Sequence, residues 1–374
     1  MEENAKKRFA IILVASLGLV YFFVCAKPLP KELVLEPAWA KPIPQAQAVP
    51  ATAASGAAVS GAAAPVSSVP LHSYRLADSF GYFSEKGDLI SANALSFGAA
   101  VSDSAYIAYD RDPPFLSLRS PDGRESAKIT DPGYPFFGGG RLFVVHPGQS
   151  SVSEIGKDGR TLWSHDFGSI VTAFDASPAL ALFGLLDGSL VGIAPDGVER
   201  LSFAPGGSRI PGIYGCAVSP DGLMVAAIAG LDQQRLVILE RRSTAYRVTY
   251  HRYLKSDFRR PVSMAFTRDG RYLVYEEEVA LGIYNRGSRS ETSVPAQALT
   301  GIGLFSPSQS ILLGVEGSED SKRLVCISPA GKLLYSLPFS GSDASIDLSG
   351  EAIFLCVGGP DGHKNLLRLD FKEE

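Results

Sequence analysis

The amino-acid sequence predicts an all-β fold, a seven-bladed β-propeller of four-stranded blades. Three observations predict it. One class of turn recurs at near-constant spacing, short apolar runs follow each turn, and no long amphipathic helix interrupts the pattern. The clearest turns read Ser-Pro-Asp-Gly at 219–222 and Thr-Arg-Asp-Gly at 267–270. Weaker copies are Ser-Pro-Ser-Gln at 306–309 and Asp-Leu-Ser-Gly at 347–350, with earlier equivalents at 101–104, 137–140 and 176–179. Their third positions are 103, 139, 178, 221, 269, 308 and 349, so neighbours lie 36 to 48 residues apart. A unit of about 41 residues repeated seven times is the period of propeller blades. A β-sandwich is the rival all-β fold, but it needs only ~100 residues and does not generate seven units.

Before the repeats come three segments. Residues 1–8 read as a cytoplasmic tail containing Lys6, Lys7 and Arg8, and residues 9–26 carry no charge. An apolar run of that length is about the minimum for a helix crossing a bilayer, and the basic cluster before it favours a cytoplasmic N-terminus. The run therefore predicts a transmembrane signal anchor with the propeller outside the cytoplasm, periplasmic in a bacterium. Two alternatives stay open, a cleaved signal and a lipoprotein signal acylated at Cys25. Residues 27–74 are rich in Pro and Ala, and 45–70 contain only Ala, Ser, Gly, Pro, Val, Gln and Thr. Such a stretch buries too little apolar surface to offset its ordering entropy, which predicts a disordered linker.

Residues 75–374 are assigned to the propeller. Each first-class turn leads into a buried-strand pattern such as Leu180–Leu186 or Leu223–Ala229. A second strand follows, and then a second turn class: Pro121-Asp122-Gly123, Lys157-Asp158-Gly159, Pro195-Asp196-Gly197, Arg286-Gly287 and Ala330-Gly331. Gly, Asp and Asn tolerate the positive φ of such turns. The seventh unit contains only three strands. The unassigned segment 79–90 is therefore expected to complete it as a closing N-terminal strand, hiding the sheet edge. On this reading 27–70 is dispensable for folding.

The Ser219–Leu223 and Thr267–Leu273 segments resemble WD-repeat-like propellers. Asp158-Gly159-Arg160-Thr161-Leu162-Trp163 is similar to the Asp-Gly-x-x-x-Trp of pyrroloquinoline-quinone-type (PQQ-like) propeller repeats. The resemblance spans about 75–374 at the level of the repeat. The Trp-Asp dipeptide of WD repeats is missing, as are the regular Trp girdle of quinone enzymes and the adjacent cysteines that some of them have. The resemblance to cofactor-free members, including envelope-assembly lipoproteins of bacteria, implies a binding platform with no cofactor.

Chemistry-bearing patterns are sparse. The formal net charge of −4, from 35 basic and 39 acidic residues, argues against a chain-wide nucleic-acid binder. The five His have no zinc-like spacing, and no calcium loop, phosphate loop or nucleophile elbow occurs. His165 and Asp166 are adjacent on a predicted strand, point to opposite faces, and form no dyad. Cys216, Cys326 and Cys356 read as buried thiols, with a Cys326–Cys356 bridge as the alternative. One local feature stands out. Arg241, Arg242, Arg247, Arg252, Lys255, Arg259 and Arg260 form a basic run opposed by few acids, with Tyr246, Val248 and Tyr250 alternating through it. That alternation reads as an outer strand with one packed face. Its charges serve either to protect an edge or to dock an acidic partner or anionic headgroups.

These readings predict a membrane-tethered extracytoplasmic propeller that binds another protein and has no catalysis of its own. The alternative is an enzyme or small-ligand receptor with its site in the central funnel. The predicted innermost strands, 96–101, 134–137, 170–174, 214–218, 262–266, 301–305 and 344–348, are mostly apolar or small, which favours the platform.

Overall fold

The computed structural model describes residue 16 and residues 33–48, 70–111, 113–296, 300–308, 310–317, 321–359 and 361–373. Two strands come first, β1 (Leu33–Ile43) and β2 (Gln47–Ala48), and both are lent to sheets built mainly from later residues. Blade 1 contains β3 (Leu71–Arg75), β4 (Ser79–Ser84) and β5 (Leu89–Ala94), with β2 parallel to β5 at its outer edge. Blade 2 is β6 (Gly98–Ser102), β7 (Ala105–Tyr109), β8 (Leu116–Arg119) and β9 (Glu125–Ile129). Blade 3 is β10 (Tyr134–Gly138), β11 (Arg141–Val145), β12 (Ser151–Ile155) and β13 (Thr161–Asp166). Blade 4 is β14 (Val171–Ala176), β15 (Ala181–Leu185), β16 (Leu190–Ile193) and β17 (Glu199–Phe203). Blade 5 is β18 (Ile213–Val218), β19 (Met224–Ala229), β20 (Arg235–Arg242) and β21 (Ala245–Tyr253). Blade 6 is β22 (Met264–Phe266), β23 (Tyr272–Glu276), β24 (Ala280–Asn285) and β25 (Ser290–Pro295). Blade 7 is β26 (Thr300–Ser306), β27 (Ile311–Gly317), β28 (Lys322–Ile327) and β29 (Leu333–Phe339). Blade 8 is β30 (Asp343–Ser349), β31 (Ala352–Gly358) and β32 (Lys364–Glu373), with β1 outside β32.

The propeller therefore has eight blades, which corrects the expected seven. The seven units read from the turns are blades 2–8. Blade 1 was missed because it has only three consecutive strands and no first-class turn. Closure is corrected too. Segment 79–90 supplies two strands of blade 1, and the strand that completes the last blade is β1, inside the stretch expected to be a disordered linker. Pro37 and Pro42 within β1 argue against a central strand, but an outer edge tolerates missing N–H donors. The expected transmembrane helix over 9–26 lies outside the described residues, apart from Ser16. Among the described residues no helix is long and apolar enough to cross a membrane.

Two compact units divide the chain, 36–370 and the two ends 1–35 with 371–374. The described residues of the second unit are Ser16, the first three of β1 and the last three of β32. Within 36–370 the first strand of each blade contacts that of its neighbour, and β3 touches both β6 and β30, which closes the ring. Between blades 4 and 5 these inner strands run the same way. Thr172 donates to the Ile213 carbonyl at 2.6 Å, and Val218 N–H donates to Asp175 at 2.8 Å. At the closure the order reverses. His72, Arg75 and Ala77 of blade 1 meet Asp347, Ser345 and Asp343 of blade 8 in turn. Thus β3 runs against β30. An odd number of strands in blade 1 forces this, because the chain must leave β5 at the end of the ring where β6 begins.

Alternate turns of an antiparallel blade lie at opposite ends. One face of the ring, the turn face, therefore carries both turn classes. Five turns are closed by a Gly with φ between 77° and 87°, Gly87, Gly123, Gly159, Gly197 and Gly331, each donating its N–H to the residue three back, whereas after Arg286-Gly287 the positive φ falls on Arg289. The other face carries the crossovers between blades. Apolar seams fill the space between blades, for example Phe143, Phe174 and Phe183 between blades 3 and 4. Cys216, Cys326 and Cys356 are buried and free, so Cys326 and Cys356 form no bridge. Burial pushes both of those thiols up to about 12.

Candidate interaction surface

Strands β20 and β21 form a hairpin whose two-residue turn places Ser243 at φ 58°. Arg241 and Arg242 sit at its tip, on the turn face. Arg241 N–H is tied to the Leu223 carbonyl at 2.7 Å, and the Tyr246 hydroxyl donates to the Gly222 carbonyl at 2.6 Å. The pairing slips by one residue between Ile238 and Leu239, leaving Thr249 as a bulge. A bulge resets which side chains share a face. Tyr246 consequently packs into the seam with blade 4, whereas Tyr250 packs into the seam with blade 6, its ring 4.9 Å from Tyr284. Val248 is left exposed. This corrects the expected single packed face formed by Tyr246, Val248 and Tyr250.

The seven basic residues do not form one patch. Strand β21 is nine residues long, so its ends are roughly 25–30 Å apart at about 3.3 Å per residue. Arg241, Arg242 and Arg247 belong to the turn-face end. Lys255, Arg259 and Arg260 lie on the crossover to blade 6, at the opposite face. Arg252 is withdrawn into the seam, contacting the Tyr275 hydroxyl at 3.0 Å, Glu291 at 2.8 Å, and Glu277. Arg260 makes a two-pronged contact to Glu276 at 2.6 and 3.0 Å. Among the described residues no carboxylate forms an ion pair with Arg241, Arg247, Lys255 or Arg259.

Beside the hairpin tip an open groove of about 570 Å³ separates the turns of blades 5 and 6, lined by Glu240, Asp269, Arg271, Tyr272, Asn285 and Arg286. Asn285 shapes its rim by accepting the N–H groups of Gly287 and Ser288 at 2.8 and 3.1 Å. Each carboxylate here holds an arginine: Asp221 with Arg286 at 2.7 Å, Asp269 with Arg271 at 3.1 Å, and Glu240 with Arg289 at 3.3 Å and Arg242 at 3.8 Å. Burial would raise the Asp221 carboxyl, but the Ser219 hydroxyl, Leu223 N–H and Arg286 outweigh it and hold the group below the ordinary aspartate value. The groove was not legible from the sequence, because Asp221, Glu240, Arg271 and Arg286 come from separate turns.

The axis also differs from the expected apolar lining. Asp103 accepts the Ser73 N–H at 3.0 Å and its hydroxyl at 2.8 Å, across the seam between blades 1 and 2. Asp175 bridges blade 4 to blade 5, Asp343 bridges blade 8 to blade 1, and Asp347 receives both His72 and Arg268. Burial pushes the Asp175 carboxyl up to about 6, against the two backbone N–H groups that stabilise its charge. His165 packs on the Phe167 ring at 4.8 Å, and Asp166 is exposed beside it. Among the described residues no group of three or more His, Cys, Asp or Glu is placed to hold a metal ion.

Comparison with known proteins matches residues 1–373 to a family described as beta-propeller protein. The chain is similar to an uncharacterized protein of Treponema pallidum (strain Nichols), 26% identical over 358 residues that cover 96% of this chain and 93% of that one. Among solved structures, BamB from Moraxella catarrhalis superposes with a TM-score of 0.54 at 11% identity, covering 90% of this chain and all of BamB. The complex of KlAtg21 with the coiled coil of AgAtg16 gives a TM-score of 0.52 at 12% identity, covering 72% of this chain and 100% of the matched chain. At these identities the two structures share the fold. Neither similarity distinguishes the WD-like from the PQQ-like repeat type.

Proposed function

Because this chain belongs to the beta-propeller protein family, we propose that it is an interaction platform, held outside the cytoplasm, that binds another protein and catalyses no reaction itself. The observation that carries the platform reading is the use of the axial carboxylates. Asp103, Asp175, Asp343 and Asp347 each accept hydrogen bonds from the neighbouring blade. Their chemistry is spent on holding blades together, whereas Arg241, Arg242 and Arg247 of the turn face project to solvent. A fold does not determine a function. Still, the KlAtg21 propeller is in complex with a coiled coil, which supports a protein ligand. The extracytoplasmic location is supported by the uncharged run 9–26 behind Lys6, Lys7 and Arg8.

A second reading, a small-ligand site on the axis, is favoured by one observation, the raised Asp175 carboxyl. Both of its oxygens are already occupied by Ala176 and Val218 N–H groups at 2.8 Å, which weighs against it. A membrane-impermeant crosslinker applied to intact cells tests the platform. The expected outcome is a discrete adduct between the propeller and another protein. Absence of any adduct, together with a small metabolite copurifying with wild type but not with Asp175→Asn, would replace the platform with the axial site.

A further inference from the structure

The groove between blades 5 and 6 has a charge pattern that edge protection does not use and that blade packing uses only in part, through Arg286–Asp221 and Arg289–Glu240. Five arginines, Arg242, Arg247, Arg271, Arg286 and Arg289, surround it, against three carboxylates, Asp221, Glu240 and Asp269, whereas Arg241 points the other way, beside Tyr246 and toward blade 4. The carboxylates lie among the arginines and orient four of them. Arg247, across the ladder from Glu240, remains uncommitted and exposed beside the hairpin tip. Resting on the platform reading, we propose that this groove is the docking site, and that its ligand is an extended acidic segment of the partner protein with spaced carboxylates.

Three features select that ligand. Guanidinium groups held by a neighbour are preorganised for two-pronged hydrogen bonding to carboxylates, so little rotamer freedom is lost on binding. The volume, about 570 Å³, is in the range of ligand-sized clefts. Its recess admits side chains but not the plane of a bilayer. The interleaved carboxylates discriminate as well. A uniform polyanion, whether a headgroup layer or a phosphodiester backbone, would set negative groups against Asp221, Glu240 and Asp269. A peptide whose acids alternate with neutral residues can place each carboxylate between them. Like charges brought into register are costly, and such costs set specificity.

The test uses the full chain and a fluorescein-labelled decapeptide with Glu at every second position, its Gln counterpart, vesicles of phosphatidylglycerol and phosphatidylcholine, and single-stranded DNA. The Glu peptide should bind, and the Gln peptide should not. The double variant Arg247→Glu/Arg271→Glu should weaken binding at least tenfold. Lys255→Glu/Arg259→Glu, at the other end of β21, should change it less than twofold. Raising salt to 0.5 M should weaken wild-type binding, as expected for exposed charges. Circular dichroism of both variants checks that the fold is intact. Equal loss in the two variants, or tighter binding to vesicles or DNA than to the Glu peptide, overturns the proposal. If the cellular crosslink persists unchanged in Arg247→Glu/Arg271→Glu, the groove is wrong while the platform stands. If no partner crosslinks to wild type, the platform itself fails.

Discussion

Asp175 supplies the sharpest test of how the blades are joined. It sits on the inner strand of blade 4 and accepts the Val218 N–H of blade 5 at 2.8 Å. Burial raises its carboxyl from the ordinary 3.8 to about 6, with the Val218 and Ala176 N–H groups opposing the rise. The folded state thus holds this proton more tightly than the unfolded chain. The stabilising contribution of the neutral acid is complete below about pH 4 and is lost as pH rises through about 6. That interval corresponds to roughly 3 kcal/mol at 1.36 kcal/mol per pKa unit. Residual solvent contact of Asp175 lowers the figure toward about 2 kcal/mol. Asp175→Asn removes the titration and keeps one oxygen for Val218. Its cost of one weakened hydrogen bond, about 1 kcal/mol, does not vary with pH. Urea unfolding followed by the fluorescence of Trp39 and Trp163 should show the variant gaining about 2–3 kcal/mol on wild type between pH 4 and pH 7.5. Parallel pH profiles for the two proteins would refute the claim that a carboxylate is ionised at a cost inside this seam.

Two further outcomes follow from closure and packing. Deleting 33–48 removes the outer strands of blades 8 and 1, together with the burial of Ile43 and the packing of Trp39 near Phe354. That is roughly 3–5 kcal/mol of apolar burial and two exposed sheet edges, so the truncated chain should aggregate on size-exclusion chromatography; a monomeric product with unchanged circular dichroism would show that β1 and β2 are dispensable. Gly282 is a packing glycine, since a Cβ there would stand 2.1 Å from the Tyr275 ring. Gly282→Ala should cost about 1–3 kcal/mol by overpacking and lower the melting temperature by several degrees, measured by scanning calorimetry.

How much was legible depended on whether a feature is local. The recurring turns are local, because a few neighbouring residues close each of them, and they placed blades 2–8. Blade 1 was illegible because its Leu76–Ser79 turn belongs to the crossover face and carries no such pattern. Strand β1 was illegible because Pro37, Pro42 and polar neighbours describe a strand poorly. Only the open edge of β32, more than 300 residues away, gives it a partner. The basic residues of 241–260 were all visible, but their grouping was not. A nine-residue strand separates them onto two faces, the Thr249 bulge turns their neighbours, and Glu276, Glu277 and Glu291 claim Arg252 and Arg260.

The amino-acid sequence alone therefore determined the strand-and-turn period, the all-β class and the buried apolar runs, since each follows from side-chain size, backbone freedom and spacing within some forty residues. The tertiary structure alone decided the eighth blade, the reversed inner strand at the closure and the groove between blades 5 and 6. Those depend on which distant edge needs hydrogen-bond partners and on which turns the ring brings side by side, and neither is encoded in any one stretch of chain.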